Sequence, residues 1–350
     1  MNTLNKNKLK SFLIILLLAG LLLTACSEEG ASEPEKIETN EESGPIKIGI
    51  AFDSFIIERW ERDRDIFVST AKDMGAEVNV QNANGDVEKQ KEQILYLIEK
   101  KMDVIVIIAV DSGALSNEVK KAKDAGIRVI AYDRLVNNAN VDLYISFDNE
   151  AVGRFMADAI IERLDGKGEI IKINGPAKDN NVSLVNKGFD EELAGSNIQV
   201  IDTYYASEWK GEEAFNYLSD HPGEADRAKA VMCGNDSLAG QAVRYYAEKR
   251  RAGSIPIVGQ DADLDACQRI VEGTQTMTVY KPIERLAREA AGCAVRLARN
   301  SFNPELVMND GTYDVPYVSI DPMMVNKDNI DSIIIGSGFH LREDVYLKER

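Results

Sequence analysis

From residue 46 onward, short apolar runs rich in β-branched residues alternate with amphipathic stretches of helical period. The order is IKIGIAF, a helix to about Met74, EVNVQ, a helix over 87–100, DVIVIIA, a helix over 112–125, and IRVIAY. A strand that is apolar on both faces needs cover on both faces, which a parallel sheet flanked by helices supplies. Glycine-containing turns such as Met74-Gly75 and Ala125-Gly126 close the helices. The series pauses at DLYISFDN (142–149) and restarts with GEIIKIN, NIQVIDTYY, AKAVMCG and SIPIVGQ. TMTVY then leads into the long helical stretch KPIERLAREAAGCAVRLA, with Pro282 suited to its first turn. The expectation is an α/β fold of two doubly wound parallel-sheet lobes. No long Pro/Gly linker separates the halves, so the lobes are expected to share crossings near 148, 281 and 313, a hinge of several strands. That places 46–148 plus 281–312 in the N-terminal lobe and 149–280 plus 313–345 in the C-terminal lobe.

The first 26 residues follow another pattern. Lys6, Lys8 and Lys10 precede the apolar run SFLIILLLAGLLL (11–23), which is short for a spanning helix. Leu23-Thr24-Ala25-Cys26 then resembles the lipobox of bacterial lipoproteins, in which the cysteine is lipidated and becomes the mature N-terminus. Residues 1–26 are therefore expected to be a lipoprotein signal peptide ending at Cys26, and two or more acyl chains hold a protein stably on a bilayer. Residues 27–45 are acidic and nearly free of large apolar side chains, as in a flexible tether. The implied location is the extracytoplasmic face of the bacterial cell membrane.

Charge and residue inventory exclude several functions. Among 350 residues, 58 Asp and Glu outweigh 41 Lys and Arg, a formal net charge of -17. Such a surface repels nucleic acid and anionic lipid. His221 and His340 are the only histidines, and no Cys/His cluster has zinc spacing. No nucleophile–base set or phosphate loop is evident, so the expectation is a protein without enzymatic activity, cofactor or metal. Beyond Cys26, the cysteines Cys233, Cys267 and Cys293 are odd in number and cannot all pair within the chain. Cys233 and Cys293 lie in apolar runs and read as buried thiols.

One pattern does carry chemistry. Four apolar strands run into an acid or amide just before a helix: IAFD (Asp53), IAYD (Asp133), CGND (Asn235 and Asp236) and VGQD (Asp261). Each alone is an ordinary helix N-cap. Together, at the carboxyl ends of strands in two lobes, they point to a polar cleft. Each lobe also places one tryptophan near a strand-to-helix loop, Trp60 in ERWERDRDIF and Trp209 in SEWKGEEAF. Pyranose rings have apolar faces and hydroxyl edges, so a sugar site wants flat aromatics on the faces and charged or amide groups around the rim. For Trp60 a core role is an equal alternative, because Ile56, Trp60, Phe67, Ala71 and Met74 fall on one helix face.

The motifs ERWERDRDIF, VQNANG, VIAYDR, YISFDNE, VGQDADL, GTQTMTVYKPI and VNKDNID resemble the type I periplasmic sugar-binding proteins that serve ABC transporters, and among them the D-xylose-binding group. The likeness runs from residue 46 to about 340. It implies two lobes that close on one monosaccharide. Carried over by motif, the ligand-binding residues are Arg59, Trp60, Asp133, Arg134, Asp179, Asn181, Trp209, Asn235, Asp261 and Lys281. Asp53 and Arg64 are expected behind them, orienting Arg59. The implied partners are D-xylose or a related monosaccharide and a membrane ABC permease with its ATPase, with the receptor acting as a monomer. The alternative is a sensor that presents the bound sugar to a membrane histidine kinase or chemoreceptor. A sugar-responsive repressor shares the core but needs a helix-turn-helix where this chain has a signal peptide.

Overall fold

A computed structural model describes residues 44–55, 59–302 and 304–347. The expected signal peptide, Cys26 and nearly all of the tether lie outside the described residues, as do Ile56 and Glu58. Along the first part of the chain run β1 (Ile46–Phe52), α1 (Arg59–Asp73), β2 (Ala76–Asn82), α2 (Val87–Glu99), β3 (Val104–Ile107), α3 (Ser116–Asp124), β4 (Arg128–Tyr132) and β5 (Leu143–Phe147). There follow α4 (Asn149–Arg163), β6 (Lys167–Asn174), α5 (Asn180–Leu193), β7 (Asn197–Tyr205), α6 (Glu212–Asp220), α7 (Pro222–Arg227), β8 (Ala230–Cys233), α8 (Asp236–Glu248), β9 (Ile257–Gln260), α9 (Leu264–Glu272) and β10 (Met277–Tyr280). The last part holds α10 (Ile283–Ala298), β11 (Leu306–Asn309), β12 (Asp314–Ile320), β13 (Met323–Val325) and α11 (Arg342–Val345).

Two sheets result. One has the order β11-β12-β5-β4-β3-β1-β2, the other β13-β10-β9-β8-β6-β7. All pairings are parallel except β11 with β12 and β10 with β13. The continuous apolar strands are explained by their two faces. Val104, Val106 and Ile108 pack into the core under α1 and α10, while Ile105, Ile107 and Ala109 pack into the core under α2 and α3. Alternation of side chains across a strand sends successive residues to opposite layers, so both parities must be apolar.

The chain passes from the first sheet to the second after β5, returns after β10 and crosses again after β12. The crossing expected near 313 lies elsewhere. The residues around 311–313 are the turn of the β11–β12 hairpin, and Tyr317 to Ile320 run parallel to Tyr144 to Phe147 in the first sheet. The passage between lobes therefore falls between Ile320 and Met323, and 313–320 belongs with the N-terminal lobe. A Gly-Thr-Tyr turn is compatible with either a hairpin or a crossing, so local residues do not distinguish them.

In the second lobe, α4 and α5 touch backbone to backbone. A side-chain carbon at Gly153 would lie 2.0 Å from the Val185 carbonyl oxygen, and one at Gly188 would lie 2.0 Å from that of Glu150. This contact anchors α5, whose N-cap Asp179 and first-turn Asn181 are candidate site residues. Cys233, Cys267 and Cys293 are buried free thiols. Of the proposed α1 face, Trp60, Phe67 and Ala71 are buried, but Met74 is exposed at the helix end.

Candidate functional site

The carboxyl ends of β4, β9 and β10, together with the start of α1, the N-terminal end of α5 and the β7–α6 loop, converge on one pocket. It is lined by Arg59, Trp60, Asp133, Arg134, Asp179, Asn181, Trp209, Gln260, Asp261 and Lys281. Arg134, Asp179 and Trp209 also line an adjoining space, toward Lys178, Ser207 and Glu208.

Arg59 is the centre of the N-terminal half. Its guanidinium donates from Nε and Nη2 to the two oxygens of Asp63 at 3.1 and 2.9 Å, and Nη1 lies 2.9 Å from Asp133 Oδ2. Tyr132 donates its hydroxyl to Asp63. Bidentate pairing fixes the plane of the guanidinium, here against the Trp60 ring at 4.4 Å and the Phe147 ring at 5.3 Å. Trp60 is 1% exposed and packs edge-on against Phe52 and, tilted, against Tyr132. Its two candidate roles therefore coincide: it belongs to the core cluster and lines the pocket. Its Nε1 is buried without a hydrogen-bond partner among the described residues.

Asp133 has φ of +62°, a conformation uncommon for a residue with a side chain. Its carbonyl accepts from Tyr144 Oη at 3.1 Å and Ser146 Oγ at 2.7 Å, which hold the turn in place. Burial works against its charge, but Arg59, Lys281 and Arg134 outweigh burial and keep its carboxyl below the usual range. Arg134 reaches Asp53 Oδ2 at 2.6 Å through Nη1 and Asp179 Oδ2 at 2.7 Å through Nε. Burial opposes its charge, and Asp179 and Asp53 more than compensate, raising its pKa. Burial raises the carboxyls of Asp53 and Asp179 despite this contact.

Several of these bonds join the lobes. Besides Arg134 and Asp179, Asn181 Nδ2 donates to Asp133 Oδ1 at 2.8 Å, and the Asn180 amide donates to Ser112 Oγ at 3.2 Å. Asn149 donates to Asn181 Oδ1 at 3.1 Å, which orients that amide toward Asp133. The structure is thus a closed arrangement of the lobes.

In the C-terminal half, Lys281 Nζ lies 2.7 Å from Asp261 Oδ1, both buried. Asp261 and Ala262 have φ of +100° and +56°. The strained loop is held from below: the Ala262 amide donates to Thr278 Oγ1 at 3.1 Å, and the Asp263 amide to Asp236 Oδ2 at 3.1 Å. Asp236 also accepts from Thr278 Oγ1 at 2.7 Å and Gln275 Nε2 at 2.8 Å. Burial pushes its carboxyl up to about 7. The native state then binds more protons than the unfolded chain between about pH 4 and about pH 7. This contribution to stability is full below pH 4 and is lost as pH rises through 7. In Asp236→Asn the decline of melting temperature over that window is expected to become shallower, as calorimetry at pH 4.5, 6 and 7.5 would show; an unchanged slope would refute the assignment.

Three expectations are corrected. Asn235 does not line the pocket: its Oδ1 accepts from the Leu238 amide at 2.9 Å as the N-cap of α8. Asp53 orients Arg134, not Arg59. Arg64 pairs with its neighbour Asp65 at 2.8 Å near the surface, and Asp63 takes the place expected of it beside Arg59. Sequence reading missed Asp63 and Gln260. Asp63 stands four residues after Arg59, one helical turn, which is a usable signal. Gln260 Nε2 donates to the Gly234 carbonyl at 2.5 Å, and its Oε1 is buried without a partner among the described residues. It sits beside Asp261 at the end of β9.

Two α/β lobes that meet around a buried polar pocket define a receptor that encloses its ligand between them. The family profile described as "Periplasmic binding protein domain" matches residues 48–301. The D-xylose-binding periplasmic protein of Haemophilus influenzae is 42% identical over 310 residues, covering 87% of this chain and 93% of its own. That of Escherichia coli is 41% identical over 307 residues, covering 86% and 92%. The solute-binding protein of a Chloroflexus aurantiacus carbohydrate transporter, in complex with D-glucose, superposes with a TM-score of 0.80 at 26% identity, covering 86% of this chain and 98% of that one. This chain belongs to the type I periplasmic binding protein family, whose members are extracytoplasmic binding receptors and not enzymes.

Proposed function

We propose that this protein is an extracytoplasmic receptor that encloses D-xylose, or a closely related neutral monosaccharide, between its lobes and delivers it to an ABC permease. The charge balance of the pocket carries the reading. Three cations (Arg59, Arg134 and Lys281) and three carboxylates (Asp133, Asp179 and Asp261) line it, with two indoles, one from each lobe. An ionic ligand would want an excess of the opposite charge. A polyol wants strong donors and acceptors in equal measure, and the two tryptophans supply apolar faces for its ring. The choice of xylose rests on the two relatives that are over 40% identical.

Full enclosure matches the energetics. A pentose has about ten non-hydrogen atoms, and a micromolar Kd needs about -8 kcal/mol. That lies inside the ceiling of about -1.5 kcal/mol per atom but leaves little surface to waste. The ligand favours the closed state because only there does it touch both lobes. Cys26, lipidated, and the acidic tether would hold the receptor near its permease.

Calorimetric titration of the mature protein with pentoses and hexoses tests the ligand. D-xylose is expected to bind with micromolar or tighter Kd and at least about tenfold better than arabinose, ribose or glucose; no saturable binding of any sugar would overturn the reading. Deleting the gene tests the transport step. Loss of xylose-induced transcription with normal uptake would replace transport by sensing. Cys26→Ala is expected to abolish fatty-acid labelling and release the protein from the membrane.

A further inference from the structure

We infer that Gly175 and Gly234 set the depth at which the Trp209 indole lies in the cleft, and so the thickness of the ligand slot. Gly175 directly follows β6 and Gly234 directly follows β8, and Ile173 pairs with Cys233 across the sheet. That register sets Gly234 beside Asn174, one residue before Gly175, so the two glycines are neighbours at the carboxyl edge. A side-chain carbon at Gly175 would stand 2.2, 2.3 and 2.5 Å from Cη2, Cζ3 and Cζ2 of Trp209. The six-membered ring of the indole thus rests directly on the Gly175 backbone. A side-chain carbon at Gly234 would stand 2.7 Å from the Gly175 nitrogen, so it would displace the backbone that forms this floor. Neither glycine has a positive φ. Their requirement is space, not backbone freedom.

The indole cannot retreat from an added methyl by moving its loop. The amides of Ser207 and Glu208 donate to the carboxylate of Glu213 on α6 at 2.8 and 3.1 Å, which ties the loop to the lobe. Carbon atoms in contact prefer about 3.5–4.0 Å, so a methyl at Gly175 must lift the ring by more than about 1 Å. The free direction is the slot, because the same ring lines the pocket and the adjoining space. The two glycines are positioning residues that act through Trp209.

This inference rests on the sugar-receptor reading for its affinity readout, and the test separates the two. Gly175→Ala is expected to weaken D-xylose binding at least about tenfold. In a Trp209→Leu background, where no ring meets the methyl, the same change is expected to cost less than about threefold. Equal losses in both backgrounds, or wild-type affinity in Gly175→Ala, would overturn the inference. A second readout needs no sugar. The chain has two tryptophans, so in Trp60→Phe the emission reports Trp209 alone. Adding Gly175→Ala is expected to shift that emission to the red and raise its quenching by acrylamide; an unchanged spectrum overturns the inference whether or not xylose binds. If Gly175→Ala fails to fold, Gly175→Ala with Trp209→Leu is expected to recover the melting transition, and failure to recover it overturns the clash as the cause.

Discussion

Trp60→Ala is expected to lower the melting temperature and raise the sugar Kd in a single substitution. The ring is almost fully buried and packs against Phe52 and Tyr132 within the largest core cluster of the N-terminal lobe. Truncating a buried aromatic to alanine costs about 3–5 kcal/mol, a drop of roughly 10 °C for a unit of this size. The same ring supports the Arg59 guanidinium at 4.4 Å, so its loss also frees the cation that sets the N-terminal rim. Trp209→Ala should behave differently. Trp209 is only half-buried, at the edge of its lobe's core, so its removal should weaken binding with a much smaller thermal shift. Calorimetry and titration on both variants check this. Equal shifts in melting temperature, or Trp60→Ala melting with wild type, would show that the indole is not structural.

Arg59→Met is expected to be the most disruptive single change in the site. It keeps the apolar stem but leaves Asp63 and Asp133 facing each other, buried and without their shared cation. Removing one partner of a buried ion pair costs about 3–5 kcal/mol. The sign of the pH dependence distinguishes this cause from lost packing. In the wild type the carboxyl of Asp133 is held below the usual range, so its contribution is present above about pH 4 and is lost as pH falls below that. Without Arg59 the two carboxyls share a site and at least one is raised. The variant then gains stability relative to wild type as pH falls toward 5. Urea unfolding at pH 5 and pH 8 should show a smaller deficit at pH 5; an equal deficit at both would assign the loss to packing.

The two halves of the polar cleft were legible to different degrees. Asp133 and Asp261 announce themselves as acids that end an apolar strand, and both sit at positive φ facing the pocket. Asn235 carries the same local signature and is a helix cap. Nothing in five neighbouring residues separates these outcomes, because an N-cap and a cleft residue occupy the same strand-to-helix junction. The charged helix ERWERDRD posed a similar problem. Its period shows which side chains share a face, but the pairing of Arg59 with Asp63 and Asp133, of Arg62 with Glu284, and of Arg64 with Asp65 depends on what packs opposite each. The α4–α5 and Gly175–Trp209 contacts were invisible for the same reason: a glycine that makes room for another element reads like any turn glycine.

The amino-acid order alone determined the layered α/β architecture, since continuous apolar strands and amphipathic helices are stable only when helices cover both sheet faces. It also determined that polar and aromatic groups gather at the carboxyl ends of the strands. The tertiary structure alone decided that β12 joins the first sheet, that Asp53 serves Arg134, and that Trp209 lies on a glycine floor. These are contacts between residues far apart in the chain, and periodicity reports only which way a side chain faces, not what it meets there.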